Sequence, residues 1–182
     1  KGVHALSGDG ESPVLGSAVR LPLRDAVLVN GTLIHGLDYD DTHADSVIHC
    51  SASALPVVLA MGLRMGSSGA ETMTAYLAGV EAEARIGMGA NGGFHKQGYH
   101  PTGLVGAFGA ALAAGRLMEL DEQQLVMAQG ITLSTTSGAM EFLEDGAWTK
   151  RMHPAWAGVG AITAAFMAQA GYVGPTRAYE GR

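Results

Sequence analysis

The sequence contains few cysteines, few aromatic residues and few cationic residues. Its single cysteine, Cys50, excludes an intrachain disulfide, and one thiol alone cannot hold a zinc ion or an iron–sulfur cluster. Lysine and arginine number 11 among 182 residues against 17 acidic residues, which gives a formal net charge of −6. Nucleic acids and anionic membranes bind clustered Lys and Arg, so this composition argues against both as partners. An anionic ligand would have to be bound by a few local groups.

The sequence also lacks an initiator methionine, an apolar signal segment and a small-residue cleavage site. The missing initiator suggests a piece of a longer protein, and the absence of an export signal together with a lone cysteine predicts a cytoplasmic location. The uncharged segment 154–175 is long enough to resemble a membrane span. It is mostly Ala and Gly and contains Gln169, so we interpret it as a helix buried in protein.

Small residues dominate the apolar stretches of the chain. Glycine accounts for 27 residues and hydrophobic residues for 47% of the sequence, enough to fill one domain core. Gly and Ala recur at three- and four-residue spacing in 103–115, which lets helix backbones approach closely. Capping-box patterns begin at Ser68 and Asp121. These patterns predict one all-α domain, a multi-helix bundle with helices near 22–36, 52–66, 69–89, 102–118, 121–137 and 154–170, preceded by about 20 residues of loop or short extended structure.

Three polar islands interrupt the apolar helices and contain most of the seven histidines. They occupy 35–43 with His49, then 95–100, then 149–153. His49, His100 and His153 each lie one or two residues before a predicted helix start. Helix N-termini favour carboxylates and the neutral form of a nearby imidazole, and a neutral imidazole can act as a general base. Singly, each histidine is most simply a capping or solvent-exposed residue, but the three together favour a site.

The charged residues of the islands leave several interpretations open. Lys150 lies beside Arg151 and near His153, a local concentration of cations that could hold a polycarboxylate. Asp38, Asp40 and Asp41 could cap helices, brace histidines by hydrogen bonds or bind a divalent metal. The run 40–45 also fits the aspartate-rich motif of terpenoid synthases, but the second metal motif of those enzymes is missing.

The tryptophans and methionines carry no obvious chemistry. Nine methionines are spread along the chain, together with Trp148 and Trp156, and we interpret all of them as core packing.

The three islands, taken in this order, resemble the MmgE/PrpD family, which includes 2-methylcitrate dehydratases and cis-aconitate decarboxylases. The segments that carry the resemblance are Asn30-Gly31-Thr32 through His35, Leu37 to Thr42, Gly98 to Gly103 with Gly106 and Gly109, and Thr149 to Pro154. The similarity covers nearly the whole chain. It implies that residues 1–182 are part of a large all-helical domain, truncated at both ends, whose α/β lid domain is absent from this chain. Such a fragment alone is expected to be inactive.

The resemblance also implies a set of site residues. The residues that match the family's substrate pocket are Asp38, Thr42, His49, His100 and Lys150, with His153 in the last motif. Lys150, Thr42 and His153 would bind substrate carboxylates. His49 or His100 would move a proton at the carbon next to a carboxylate. Asp38 would orient a histidine or act as the acid/base itself.

The implied chemistry is a metal-independent lyase reaction on a small polycarboxylate, with no cofactor and 2-methylcitrate dehydration as the first choice. Cis-aconitate-type decarboxylation and epimerisation of an iminodisuccinate-like substrate are the alternatives within the family. Cys50 follows His49 where proline is common, and 43–48 belongs to a variable stretch, so the residues leave the substrate open. A noncatalytic helical module that binds a carboxylate is the alternative from another class. Family members are commonly homodimers, which predicts a second copy of this chain as partner.

Overall fold

A computed structural model describes residues 1–180 of the chain, and within them the fold is mainly helical. The α-helices of this part are α1 (Gly2–Ser7), α2 (Leu23–Ile34), α3 (Cys50–Met65), α4 (Gly69–Ala90), α5 (Gly93–Lys96), α6 (Pro101–Leu117), α7 (Glu122–Leu133), α8 (Phe142–Asp145) and α9 (His153–Gln169). Two 3-10 turns, His35–Leu37 and Trp148–Met152, follow α2 and precede α9. The all-α prediction is confirmed.

The first 22 residues differ in part from the prediction of loop or short extended structure. They contain the six-residue helix α1 and a two-stranded antiparallel ribbon of β1 (Ser12–Pro13) and β2 (Arg20–Leu21). Helix α7 ends at Leu133, four residues earlier than the pattern suggested. The short helices α1, α5 and α8 were not predicted, because four to six residues are too few to show a helical period.

Helices α6 and α9 form the centre of the bundle. Helix α6 packs on α3, α4, α7 and α9, while α9 also contacts α2 and α3. Both helices are rich in Ala and Gly, and most of their residues are buried. A Cβ added at Gly109 of α6 would lie 2.5 Å from the carbonyl oxygen of Gly79 in α4 and closer still to Glu83 Cγ. Glycine is therefore required for the backbones of α4 and α6 to approach this closely.

The helix starts read from the sequence match the structure. Ser68 and Asp121 each form the capping box, with the side chain accepting from the N3 backbone N–H. Helix α6 begins at Pro101, and Pro154 is the second residue of α9. Among residues 1–180, no helix combines the length and apolar character that crossing a membrane requires. The segment after Pro154 is instead a core helix whose buried residues include Ala161 and Ala165.

Candidate functional site

The N-terminal ends of α3, α6 and α9 bring the three histidines of the polar islands together. His49 is the N-cap of α3, His100 is the N-cap of α6, and His153 is the first residue of α9. His35, which begins the 3-10 turn after α2, completes a group of four imidazoles. The His35 and His49 ring centroids are 4.7 Å apart, and those of His35 and His100 are 5.8 Å apart. Residues far apart in the chain therefore form one cluster.

An ion pair closes one side of the histidine cluster. Lys150 Nζ lies 2.6 Å from Asp38 Oδ2 and 2.7 Å from Asp38 Oδ1, so the ammonium contacts both carboxylate oxygens. The hydrogen bond from Lys150 holds the pKa of Asp38 below its ordinary value. Asp38 has a φ of 59°, in the left-handed region that Asp tolerates better than most residues. This turn directs the carboxylate of residue 38 across to Lys150, 112 positions further along the chain.

Asp40 is a buried carboxylate that lies between two of the imidazoles. Its side chain is only 3% exposed, and its Oδ2 accepts the Nδ1–H of His35 at 2.8 Å. Its Oδ1 lies 3.5 Å from His49 Nδ1. Asp40 therefore fixes His35 as the Nδ1–H tautomer, which leaves the lone pair on Nε2. His35 Nε2 is buried without a hydrogen-bond partner and lies 3.8 Å from Asp38 Oδ1.

His100 and His153 form a second imidazole pair beside this cluster. Their Nδ1 atoms lie 3.2 Å apart, and both residues are buried. The ring of Phe142 contacts both, with centroids 5.8 Å from His100 and 5.7 Å from His153. Burial lowers the pKa of His100 to about 3 and also lowers the pKa values of His153 and His35. These three imidazoles are therefore neutral at physiological pH.

Backbone contacts fix the positions of the histidines. The backbone N–H of His49 donates to the buried Thr102 Oγ1 at 3.2 Å, which ties the start of α3 to the first turn of α6. The backbone N–H of His100 donates to the carbonyl of Gly138 at 2.8 Å. A Cβ at Gly103 would lie 2.9 Å from His153 Cβ, so the glycine lets α9 approach α6 here.

A cavity of about 410 Å³ opens next to the cluster. The residues that line it include His35, Asp38, Phe142, Trp148, Lys150 and Arg151. Its volume suits a small organic molecule. A larger cavity of about 900 Å³ lies elsewhere, between the 10–23 segment and the end of α3, and no histidine or aspartate lines it. The smaller cavity is the better candidate because it combines a cation, Lys150, with the neutral imidazole of His35.

The three aspartates, whose roles the sequence left open, have different environments. Asp41 Oδ1 accepts the backbone N–H of Ser51 at 3.0 Å, as a capping group of α3 does. Asp40 braces histidines, and Asp38 pairs with Lys150. Thr42 Oγ1 lies 3.4 Å from His49 Nδ1 at the exposed edge of the cluster. The six site residues named from the sequence thus lie in one region of the fold.

His35 and Asp40 belong to the cluster but were not among the six site residues. Both stand in the first polar island; His35 ends one of the segments that carry the family resemblance, and bracing a histidine was one of the roles that the sequence left open for Asp40. The contact between His35 and Asp40 depends on the 3-10 turn and the left-handed residue that separates them.

The first island also supplies a geometric set of potential metal ligands. One ligand atom each from His35, Asp38, Asp40 and His49 lies within 4.8 Å of the others. Two imidazoles and two carboxylates are suitable donors for a divalent transition metal. The ammonium of Lys150 already contacts Asp38, however, so a metal ion here would have to share that carboxylate with a cation.

The tryptophans and several methionines contradict the prediction of core packing. Trp148 is 76% exposed and Trp156 is 45% exposed, while Met65, Met73, Met88 and Met152 are also exposed. The guanidinium of Arg151 lies over the Trp148 ring at 4.8 Å, and both residues line the cavity. Trp148 sits in the short 3-10 turn before α9, where the ring projects from the surface of the bundle. Met61 and Met118 are buried as predicted.

Comparison with protein families gives a match over the entire chain. The family model for the MmgE/PrpD N-terminal domain covers residues 1–182. The chain belongs to the MmgE/PrpD family.

Several curated relatives of this MmgE/PrpD chain are named for the same activity. Human cis-aconitate decarboxylase is 30% identical over 161 residues, which cover 86% of this chain and 33% of the relative. The cis-aconitate decarboxylase-like protein oryM of Aspergillus oryzae is 27% identical over 99% of this chain and 39% of its own length. Cis-aconitate decarboxylase of Aspergillus terreus is 27% identical over 90% of this chain and 34% of its own length. The chain thus spans roughly a third of the length of these relatives.

Proposed function

We propose that the protein is a lyase that acts on a small polycarboxylate by proton transfer at a carbon next to a carboxylate. One observation carries the proposal: Lys150, Asp38 and the neutral imidazole of His35 line a cavity of about 410 Å³, and the other histidines of the cluster lie next to His35. A cation and neutral bases in one site are the groups that binding and deprotonating a carboxylic acid require. Membership of the MmgE/PrpD family supports the same class of reaction.

Lys150 is the proposed carboxylate-binding group. Its ammonium is paired with the half-exposed Asp38, whose side chain is 53% exposed. A substrate carboxylate that enters the cavity would compete with Asp38 for this cation, with Thr42 and His49 beside it. Asp38 would then be free to orient His35 or His49, whose Nε2 atoms lie 3.8 and 3.7 Å from Asp38 Oδ1.

Decarboxylation of a cis-aconitate-like tricarboxylate is the first candidate, because the curated relatives are named cis-aconitate decarboxylases. In this reaction the bond between a carbon and its carboxylate breaks, carbon dioxide leaves, and the electron pair stays on the carbon. Lys150 would stabilise the negative charge on the remaining carboxylates, and a protonated site group would then deliver a proton to the carbon. No step of this scheme requires a metal.

Dehydration of a 2-methylcitrate-like hydroxy acid is the second candidate. It requires one group to remove the proton next to a carboxylate and another to protonate the departing hydroxyl. His49 and His100, whose rings both lie against His35, are the candidates for these two tasks. We also propose that a lid domain outside residues 1–182 completes the pocket. A second copy of the protein is the proposed partner, in a homodimer.

Proton NMR in deuterated water tests the proposal. The intact protein is incubated with cis-aconitate, citrate, 2-methylcitrate and iminodisuccinate. Loss of carbon dioxide identifies a decarboxylase, alkene formation identifies a dehydratase, and deuterium uptake without net change identifies an epimerase. Lys150→Ala should lower kcat/KM by at least on the order of 100-fold. Lys96→Ala is the matched control, because Lys96 is exposed on α5.

Two results would contradict the proposal. Unchanged spectra for all four substrates, with binding still detectable, would leave only a carboxylate-binding module. Wild-type turnover by Lys150→Ala would show that Lys150 does not bind the substrate. Exhaustive dialysis against a chelator should leave turnover unchanged, and loss of activity that added Zn²⁺ or Mn²⁺ restores would assign the His35 cluster to a metal instead.

A further inference from the structure

Among the described residues, His153 has its hydrogen-bond contact to the histidine cluster through His100. Its Nδ1 lies 3.2 Å from His100 Nδ1, and its ring stacks in the described structure against His100 and Phe142. His100 in turn stacks on His35, which contacts His49 and Asp40. His100 therefore lies between His153 and the rest of the cluster.

Two neutral imidazoles whose Nδ1 atoms lie at hydrogen-bond distance must be complementary tautomers. If both Nδ1 atoms carried protons, the hydrogens would collide, and if neither did, two lone pairs would face each other in a buried site. One ring is therefore the Nδ1–H tautomer with a lone pair on Nε2, and the other carries its proton on Nε2. The shared Nδ1 contact determines the chemistry of both outer nitrogens.

We propose that His153 is a positioning residue that accepts the Nδ1–H of His100 and so fixes the Nε2 of His100 as the proton-accepting atom of the site. This assignment rests on the proposed function and replaces the expectation that His153 binds substrate. His100 receives the donor role because it is the ring adjacent to His35 and the cluster, whereas His153 lies behind it. The arrangement corresponds to an orienting acceptor behind a general base.

The proposed proton transfer involves both imidazoles of the His100–His153 pair. In the dehydration candidate, a proton leaves the substrate carbon and bonds to His100 Nε2, and the electron pair of the C–H bond forms the alkene as the hydroxyl, protonated by another site group, leaves as water. His100 then carries two N–H groups and a positive charge, and its Nδ1–H remains hydrogen-bonded to the lone pair of His153 Nδ1. That bond stabilises the imidazolium in a site where burial alone strongly disfavours it.

Imidazole nitrogen NMR of the intact protein tests the tautomers without relying on turnover. Long-range proton–nitrogen spectra should show His100 as the Nδ1–H tautomer and His153 as the Nε2–H tautomer. In His153→Asn, the side-chain oxygen can still accept from His100, so His100 should keep its Nδ1–H. In His153→Leu no acceptor remains, and His100 should change to the Nε2–H tautomer. Finding His100 as the Nε2–H tautomer in the wild-type protein would overturn the proposal.

Kinetics then separate a positioning role from substrate binding. With the substrate found by the NMR assay, His153→Leu should lower kcat on the order of 100-fold with KM nearly unchanged, and His153→Asn should recover most of that loss. A rise in KM in both variants, with no recovery by Asn, would assign His153 to substrate binding. Circular dichroism melting of each variant verifies folding, and His153→Phe, which also lacks an acceptor, replaces Leu if the latter does not fold.

The two proposals fail in different ways. If the two rings are complementary tautomers but the protein turns over none of the four polycarboxylates, the assignment of the His100–His153 pair stands and the lyase function is refuted. Turnover with identical tautomers on both rings would retain the lyase and refute the role of His153.

Discussion

Asp40 contacts two imidazoles of the cluster at once. Its two oxygens face the Nδ1 atoms of His35 and His49, at 2.8 and 3.5 Å, and its side chain is almost completely buried. The contact of Oδ2 with His35 is a charge-assisted hydrogen bond, which is stronger than a neutral one, whereas Oδ1 has no hydrogen-bond partner among the described residues. The carboxylate therefore sets the tautomer of His35 and directs Nε2 towards Asp38 and the cavity.

Replacing Asp40 by Asn should weaken both the fold and the site. Because an amide keeps the shape but loses the charge, Asp40→Asn should lower the free energy of unfolding by about 1–3 kcal/mol. We expect kcat to fall on the order of 100-fold. Denaturant unfolding and steady-state kinetics measure the two effects. The matched control is the exposed Asp45→Asn, which removes the same charge from the same loop. Equal stability of both variants would contradict the bracing role of Asp40.

Thr102 makes an equally local contribution. Its Oγ1 accepts the N–H of His49, and Thr102→Val would leave that N–H without this acceptor in a buried position. We expect a loss of about 1–3 kcal/mol in the free energy of unfolding. Thr163→Val is the control. Thr163 Oγ1 donates to the carbonyl of Val159 in the same helix, α9, and this carbonyl lies within the backbone hydrogen-bond pattern of that helix. A loss no larger than that of the control would show that the bond is dispensable.

At the scale of the elements, close contact between α4 and α6 depends on glycines at the points where the helices meet. Gly109 leaves room for Glu83 and for the backbone of Gly79. The same helix α6 carries His100 at its start, so its position relative to α3 and α4 also determines where the histidine cluster forms.

Gly109→Ala and Gly89→Ala should have opposite effects. A Cβ at Gly109 collides with backbone, so overpacking should lower the free energy of unfolding by about 1–3 kcal/mol. Gly89 lies in α4 with nothing within 4 Å of an added Cβ, so alanine there should raise stability by about 0.4–1 kcal/mol. Thermal melting of the two variants checks the difference. Similar melting temperatures for both would contradict the packing argument.

At the scale of the whole molecule, buried titratable groups make stability depend on pH in two opposite ways. The pKa of His100 falls to about 3 on folding, so its contribution to stability is complete above about pH 6.5 and is lost as the pH falls towards 3. Glu83 is buried in the α4–α6 contact, where Ser53 Oγ donates to its Oε1 at 3.0 Å. Burial raises the pKa of Glu83 well above 4.5, so its effect has the opposite sign.

Glu83→Gln should flatten the stability profile above about pH 4.5. There the unfolded chain ionises Glu83 while burial keeps the proton on Glu83 in the folded protein to higher pH, so the contribution of Glu83 to stability falls as the pH rises, by up to about 1.4 kcal/mol per pH unit. Glutamine removes this slope, whereas the exposed Glu81→Gln on the same helix should retain it. Denaturant unfolding at several pH values measures the slopes. Cys50, whose pKa burial raises to about 12, contributes only at higher pH. Equal slopes in wild type and Glu83→Gln would show that Glu83 is ionised in the folded protein.

The long helices and the approximate place of the site were predictable because their signals are local. The capping box at Ser68, the Pro at 101 and the Gly/Ala spacing of 103–115 each determine structure within a few residues. The exposure of Trp148 was not predictable, because burial of a side chain depends on whether another element covers it. The short helix α8, which brings Phe142 against His100 and His153, likewise has too few residues to show a pattern.

The sequence by itself determined the class of fold, the family resemblance and the residue types of the three islands. Only the tertiary structure decided which of these residues touch: Lys150 with Asp38 across 112 positions, Asp40 with His35, and His100 with His153 across 53 positions. The physical reason is the distance along the chain over which each interaction acts. Helix starts and caps depend on neighbouring residues in the chain, whereas hydrogen bonds between islands and the burial that lowers imidazole pKa values arise only when α3, α6 and α9 pack together.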